Sequence, residues 1–372
     1  MEGRKVFVGM SGGVDSSVTA ALLKEQGYDV TGVFMKNWAQ DLPGFKCPWR
    51  EDLADAKRVA VQLGIPFKIY DFQKEYKQKV VDYMIEEFKA GRTPNPDIMC
   101  NQEVKFKLFL ETALEDGADL IATGHYARII QTEDLRLKPE ENKAPRSPIS
   151  DLRSMSLAQA KDINKDQTYF LYRVTEEALS KTLFPLGDMT KPEVRAKAKE
   201  LGLITAEKKD SVGICFVGQI GIKDFLKNFV KTEPGDIVEK NSGKVVGQHD
   251  GAIFYTIGQR HGLDVGGGMP YYVIGKDMAK NEVYVTTDIN DAKLWQKSFS
   301  VTDLHWINNQ IPDLKSQISV RTRHRAPLVN CSLKLGKSTV EVVLENEIRA
   351  ITPGQSAVFY QGEVCLGGGI II

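Results

Sequence analysis

The sequence predicts an α/β N-terminal domain, built on a mostly parallel sheet with helices on both faces, then a small central β-rich domain and a C-terminal β-barrel. Three observations carry this. Residues 5–123 alternate strand-like and helix-like patterns, the rhythm of a parallel sheet whose crossovers are helices. After about residue 211 glycines crowd in and short β-rich runs replace the helices. From residue 317 five such runs follow at the spacing of a small barrel. A chain of 372 residues also exceeds one ordinary core, at roughly 100–200 residues per domain. The expected division is residues 1–207, 208–286 and 287–372.

In chain order, residues 5–10 form a short apolar strand. Residues 16–26 put Val18, Ala21 and Leu22 on one helical face, with Gly27 as the stop. Residues 29–35 read as a strand, 53–63 as a helix, 67–72 as a strand, 75–89 as a long helix ending near Gly91, 104–114 as a helix and 120–123 as a buried strand. Residues 131–160 break the rhythm with three prolines and many charges, the marks of a loop or insertion. Helical patterns return over 166–203, where Thr190 is a cap with Pro192 in the first turn and Glu193 at the third position. The β-rich runs are 244–248, 252–257, 271–274 and 282–286, then 318–323, 329–335, 340–344, 356–360 and 364–371 for the barrel.

Composition narrows the function classes. A hydrophobic share of 42% and a charged share of 26% fit a soluble globular chain. No apolar run is long enough to span a membrane. The chain enters a strand by Val6, leaving no room for a leader peptide, so a cytoplasmic protein is expected. Five cysteines without a CxxC pair fit neither a disulfide framework nor a structural zinc site. Lysine and arginine number 49, as do aspartate and glutamate. That balance excludes a protein coated in positive potential but allows a local basic face toward nucleic acid. Strand alternation in RTRHR (321–325) would put Arg321, Arg323 and Arg325 on one face, facing RNA or blocking strand pairing at an edge.

The stretch SGGVDSS (11–17) lies between a strand and a helix. Gly12 and Gly13 let backbone approach a ligand closely. Ser11, Ser16 and Ser17 offer hydroxyls, and the helix start offers unpaired N–H groups and partial positive charge. Together these make an anion nest. The lysine of the P-loop and the spacing of the dinucleotide fingerprint are both missing. A glycine-rich turn that merely caps a helix is the bland alternative. Asp15 weighs against it, because a carboxylate beside bound phosphate calls for a cation such as Mg²⁺ between them.

Two cysteines stand in chemically suggestive settings. In PNPDIMCNQEVKF (94–106) two prolines stiffen a loop that delivers Asp97 and then Cys100 just ahead of a helix. A helix start lowers a thiol's pKa, and Asp97 is placed to act as an acid or base. In KDSVGICFVG (209–218) Cys215 lies in a Gly-flanked turn, with Lys208 and Lys209 near in sequence to favour a thiolate. Each alone reads more readily as an inert buried thiol. Cys47, Cys331 and Cys365 read as packing residues.

These stretches resemble the tRNA-specific 2-thiouridylase family, and SGGVDSS resembles the pyrophosphate loop of the ATP-pyrophosphatases. FMKNW (34–38), GRTPNPDIMCN, TGHYAR, KDQTYFL, KDSVGICFVG, TIGQRHGL and PGQSAVFYQGEVCLGGGIII follow the family's order, with 131–160 least matched. The resemblance implies an adenine-nucleotide α-hydrolase-like N-terminal domain and ATP-dependent 2-thiolation of the wobble uridine in tRNAs for Lys, Glu and Gln, the activity of a tRNA-uridine 2-sulfurtransferase. It implies an ATP site at Gly9, Met10, Ser11, Gly12, Gly13, Val14, Asp15 and Ser16, with Met35 and Gly124, and Mg²⁺ accompanying the nucleotide. Cys100 would be the nucleophile, Cys215 the carrier of a persulfide and Asp97 the acid/base. Asn95, Pro96 and Asp97 would meet the target base. His125, Lys165, Asp166, Gln167, Arg323, His324 and Gln355 would contact tRNA. A Cys100–Cys215 disulfide would close the cycle. The implied partners are tRNA and a sulfur-donor protein (a cysteine desulfurase or a relay protein). The sequence departs from the family after FMKNW, at Val212 and in a lengthened 131–160, which bears on the donor protein and on loop closure.

Overall fold

The computed structural model describes residues 3–43, 46–131, 155–210, 220–266, 268–308 and 313–372. Cys215, Val212 and most of 131–160 lie outside the described residues.

The first sheet is β1 (Lys5–Gly9), β2 (Asp29–Lys36), β3 (Phe67–Asp71), β4 (Leu120–Thr123) and β7 (Thr182–Leu183), in the order β3–β2–β1–β4–β7. Every pairing in it is parallel. Strand alternation explains its two faces. Val6, Val8 and Phe34 pack with α1 (Val14–Glu25) and α2 (Trp49–Leu63). Phe7, Val33 and Met35 pack on the other face against two long helices. One, α3, joins Gln73–Tyr76, Lys77–Asp82 and Tyr83–Lys89; the other, α4, joins Pro96–Met99, Cys100–Leu108 and Phe109–Glu115. The middle segment of each winds with the wider π spacing, a feature often found at functional sites. Both helices start earlier than their periodicity suggests. For α4 the reason is local: Asn95 Oδ1 accepts from Asp97 N–H at 3.1 Å and Pro96 takes the first helical position.

Strands β8 (Gly235–Glu239), β9 (Val245–His249), β10 (Tyr272–Asp277) and β11 (Glu282–Thr286) form the central sheet in the order β10–β11–β8–β9, over a core of Ile237, Val273, Val283 and Val285. Residues 252–257, expected as a strand, instead begin with a 3₁₀ turn at Ala252–Phe254, because Gly251 at φ +140° turns the chain out of the sheet. Strands β12 (Trp295–Trp306), β13 (Ile318–Arg321), β14 (Val329–Leu335), β15 (Val340–Arg349), β16 (Ser356–Gln361) and β17 (Val364–Ile371) close into a six-stranded barrel through the β12–β17 pairing. The strand expected over 318–323 stops at Arg321, and Arg325 takes φ +62°. The three arginines therefore share no face: Arg321 is buried, Arg323 is half-buried and Arg325 is exposed.

One expectation is corrected outright. Residues 155–158, taken as part of a loop, are strand β6 (Met155–Ala158), paired with β5 (Arg128–Gln131). This hairpin joins the barrel sheet through Val364↔Ala158 and Cys365↔Leu157. Its residues alternate too briefly to register as periodicity. No described helix is long and apolar enough to cross a membrane.

His324, just beyond β13, stacks on Phe170 with ring centroids 4.5 Å apart, and its Nδ1 is buried without a partner. Burial, helped by Arg325 and Arg321, pushes its imidazole down to about 4. A depressed folded pKa gives stability that is complete above the unfolded value, near 6.5, and lost as pH falls through the folded one. This group is expected to withdraw roughly 1–3 kcal/mol as pH drops from about 6.5 to about 4. His324→Gln should remove that part of the slope. Urea midpoints for both proteins at pH 7 and pH 4.5 measure it, and parallel curves would refute it.

Candidate active site

The sheet order reverses between β1 and β4, the place where open parallel sheets bind ligands beyond their carboxyl ends. The glycine loop leaves β1 there. Gly13 enters α1 with extended backbone and no side chain caps the helix, so its first N–H groups remain available to an anion. The loop is braced from within by Ser11 N–H on Ser16 Oγ at 3.1 Å and by Ser17 Oγ on Gly13 O at 2.8 Å. Gly12 sits at φ +75°, and a Cβ there would lie 2.3 Å from the Asp52 carbonyl oxygen on α2. Gly124, just past β4, presses from the other side, with a Cβ position 2.8 Å from Ser16 N. Met10 N–H donates to Val33 O at 2.8 Å, and Met35 Cε lies 3.0 Å from a Cβ placed on Gly9. Val14 is buried at the start of α1. Met35 and Gly124, expected around ATP with the Gly9–Ser16 loop, thus lie directly against it.

The sequence called for a cation such as Mg²⁺ beside Asp15, and the fold itself already brings one there. It is Lys191, the first residue of the helix Lys191–Glu200. Its Nζ lies 2.8 and 2.9 Å from the two Asp15 oxygens and 2.9 Å from Asp210 Oδ1. Tyr126 Oη donates to Asp15 at 2.7 Å, and burial with that carboxylate pushes the phenol far above its usual range. Asp210 also takes Lys165 at 2.6 Å and Arg195 at 2.8 Å. Burial alone would raise the Asp210 carboxyl, but the Lys165 and Lys191 hydrogen bonds overcome it and hold it down at about 2. The loop mouth therefore carries two carboxylates and three cations. Sequence reasoning found Thr190 as a cap, and Glu193 Oε2 does accept from Thr190 N–H at 2.6 Å. Nothing adjacent in sequence marks Lys191, because its partner Asp15 is far away in the chain. Among the described residues no cluster of three or more His, Cys, Asp or Glu is arranged to hold a metal.

Cys100 does not precede its helix. It lies inside α4, one turn beyond the Asn95 cap, and is completely buried. It shares one apolar cluster with Ile98, Phe106, Phe109, Met35 and Trp38. Phe109 Cε1 is 3.6 Å from a Cβ placed on Gly9, so this cluster runs up to the phosphate loop. Asp97 is half-buried on the same turn as buried Pro96. Cys47 and Cys365 are buried and Cys331 is half-buried, and burial pushes all three thiols up, Cys331 to about 12.

Apart from His324, the residues expected at tRNA are held by internal bonds. His125 is buried between Phe106 and Phe184, its Nδ1 2.8 Å from Thr123 Oγ1, and burial with nearby Lys105 keeps it neutral. Gln167 Oε1 accepts from Tyr126 N–H at 2.9 Å. The Asp166 side chain, 0% exposed, takes Arg321 Nη1 at 3.2 Å and Thr168 Oγ1 at 2.8 Å. Arg323 Nη2 donates to Ile257 O at 3.0 Å, Ala350 O at 2.9 Å and Thr352 Oγ1 at 2.8 Å. Gln355 Nε2 donates to Thr93 O at 2.7 Å. Only Lys165, paired with Asp210, stands at the loop mouth itself.

A glycine loop and an uncapped helix start, at the switch point of a parallel sheet, define an α/β domain suited to binding a nucleotide. Residues 4–219 match a family model described as tRNA methyl transferase HUP domain, residues 223–287 the tRNA methyl transferase PRC-barrel domain, and residues 296–371 the Aminomethyltransferase beta-barrel domain. The tRNA-specific 2-thiouridylase MnmA 2 of Geobacillus kaustophilus is 47% identical over 369 residues, covering 99% of this chain and 94% of its own. The tRNA-specific 2-thiouridylase MnmA of Bacillus thuringiensis is 45% identical with the same coverage. The chain belongs to the tRNA-specific 2-thiouridylase family.

Proposed function

We propose that this protein replaces the C2 oxygen of the wobble uridine in tRNAs for Lys, Glu and Gln with sulfur, activating the carbonyl with ATP. The observation that carries the reading is a fully buried cysteine whose apolar cluster reaches Gly9, at the start of the glycine loop, through Phe109, in a chain whose relatives over 99% of its length are 2-thiouridylases. The family models carry a methyltransferase name, but the thiol beside a phosphate nest suits adenylation and sulfur transfer. Residues 1–207 would bind ATP and do the chemistry, 208–286 would carry Cys215, and 287–372 would seat the tRNA, with a cytoplasmic location and a separate sulfur-donor protein.

A C2 carbonyl has a poor leaving group. When its oxygen attacks the α-phosphate and pyrophosphate leaves, that oxygen can later depart within AMP. The α1 N–H groups, Lys191 and Lys165 would stabilise phosphate charge. Mg²⁺ normally takes one or two carboxylates plus phosphate oxygens, and Asp15 and Asp210 supply such donors; the ion would add charge stabilisation there. Sulfur then comes from a persulfide on Cys215. Either its outer sulfur attacks C2 and displaces AMP, after which the Cys100 thiolate attacks the Cys215 sulfur and frees the thiouridine. Or Cys100 first displaces sulfide, which attacks C2. Both routes leave a Cys100–Cys215 disulfide, and a two-electron reductant must restore the thiols. Asp97 is the neighbouring acid/base group, and Asn95, Pro96 and Asp97 meet the base. The base must leave its stack, which a single-stranded anticodon loop permits at low cost.

The test is nucleoside mass spectrometry on unmodified tRNA incubated with protein, ATP, Mg²⁺ and a persulfide-level sulfur source (a cysteine desulfurase with cysteine), because free sulfide could attack the activated C2 without either thiol. A 2-thiouridine peak that requires ATP and falls by at least about a hundredfold in Cys100→Ser and Cys215→Ser is expected. Methylated uridine instead, or no AMP release from folded, reduced protein, would overturn the reading.

A further inference from the structure

Every polar group of Thr93 is held by another part of the molecule. Its N–H donates to Pro353 O at 2.9 Å, its carbonyl accepts from Gln355 Nε2 at 2.7 Å, and its Oγ1 lies 3.2 Å from Thr256 Oγ1. The first two partners belong to the turn before β16 and the third to the central β-rich region. The approach is backbone on backbone. Gly354, at φ +90°, has its Cβ position 2.7 Å from Thr93 N and 2.9 Å from Arg92 Cβ, so a larger residue would push the two apart. The two outer partners are themselves joined. Arg323 Nη2 bridges Ile257 O, beside Thr256, to Ala350 O and to Thr352 Oγ1, beside Pro353. A Cβ on Gly258 would come 2.4 Å from Ala350 Cβ.

Thr93 stands two residues before Asn95, which caps the helix carrying Asp97 and Cys100. We infer that Thr93 is a clamp point through which the barrel and the central region set the position of the Asn95–Cys100 segment, and that Gln355 is a positioning residue for the thiol chemistry. This rests on the thiolation reading above but assigns Gln355 a role that needs no RNA contact. Its amide satisfies the Thr93 carbonyl, a half-buried acceptor that would otherwise lose its partner. Losing the bond loosens the loop ahead of the helix. Buried Cys100 then becomes reachable by local opening, whether or not tRNA is present.

Gln355→Met keeps the length and neutrality of the side chain and removes its donors. Thr256→Val removes the second tether with little change of shape. Both are compared with wild type in kcat, in KM and Kd for tRNA, and in site-resolved alkylation of Cys100 in reduced, RNA-free protein, with buried Cys365 as internal control. Expected in each variant are a kcat lowered about tenfold, a tRNA Kd within about twofold, and Cys100 labelling about tenfold faster at unchanged Cys365 labelling. A raised Kd with unchanged kcat and labelling would make Gln355 an RNA contact alone and overturn the inference. If Gln355→Met does not fold, Thr256→Val decides the matter by the same readouts. If wild type makes no 2-thiouridine, the thiolation reading fails, while Cys100 labelling still tests the clamp.

Discussion

Replacing Gly12 with alanine is expected to lower kcat/KM for ATP by about a hundredfold or more while leaving the protein folded. Two effects act together. An L side chain at φ +75° is strained by about 1–2 kcal/mol. The new Cβ would also lie 2.3 Å from the Asp52 carbonyl oxygen, a separation that cannot persist. Something must move, and α2 is poorly placed to do so. Lys208 Nζ holds Asp52 at 2.8 Å and Asp55 at 2.6 Å, and Ala56 and Val59 are packed in the core. The loop therefore yields, carrying the helix N–H groups off the phosphates. Gly13→Ala is the contrast. Its φ is −94°, and the nearest atom to a Cβ there is the movable Ser11 Oγ at 3.5 Å. It should lose far less. Pyrophosphate release measured across ATP concentrations separates the two, and equal losses would show that contact with α2 does not hold the loop.

Asp166→Ala is expected to cost about 3–5 kcal/mol of stability. The Asp166 side chain is 0% exposed and its partner Arg321 7%. Asp166 also accepts from Ala160 N–H at 3.1 Å and Thr168 Oγ1 at 2.8 Å. Removing it strands a guanidinium whose Nε already lacks a partner. The cost is that of an uncompensated buried charge, so Asp166→Leu combined with Arg321→Met should recover much of it. Urea unfolding of the three proteins checks this. A single-variant loss below about 1 kcal/mol would show that water reaches the arginine. The pair also joins the segment before α5 (Thr168–Leu171) to strand β13, so the two regions should lose structure together.

What could be read from the sequence was local. The phosphate loop, its flanking strand and helix, and the Thr190 cap with Glu193 are written in adjacent residues. Period-2 and period-3.6 patterns placed most strands and helices within a few positions. What escaped depends on distance. Lys191 gains its meaning from Asp15 and Asp210, which only folding brings to it. Arg321 looked like a surface charge because nothing near it in sequence shows that Asp166 lies opposite. Strand β6 was hidden because four residues beside a proline-rich stretch carry too little pattern. The long strand β12 mixes buried and exposed positions around register shifts, which blurs alternation. The start of α4 was missed because its first turn, PDIM, opens with a proline that reads equally well as loop.

The hairpin of β5 and β6 has a consequence for how the chain is made. Its edge along β6 is completed by Val364 and Cys365 of β17, which are synthesised long after β6. During synthesis the N-terminal sheet can assemble while β6 still presents bare backbone to other nascent chains. The same late strand closes the barrel against β12, so β17 finishes two structures in one step.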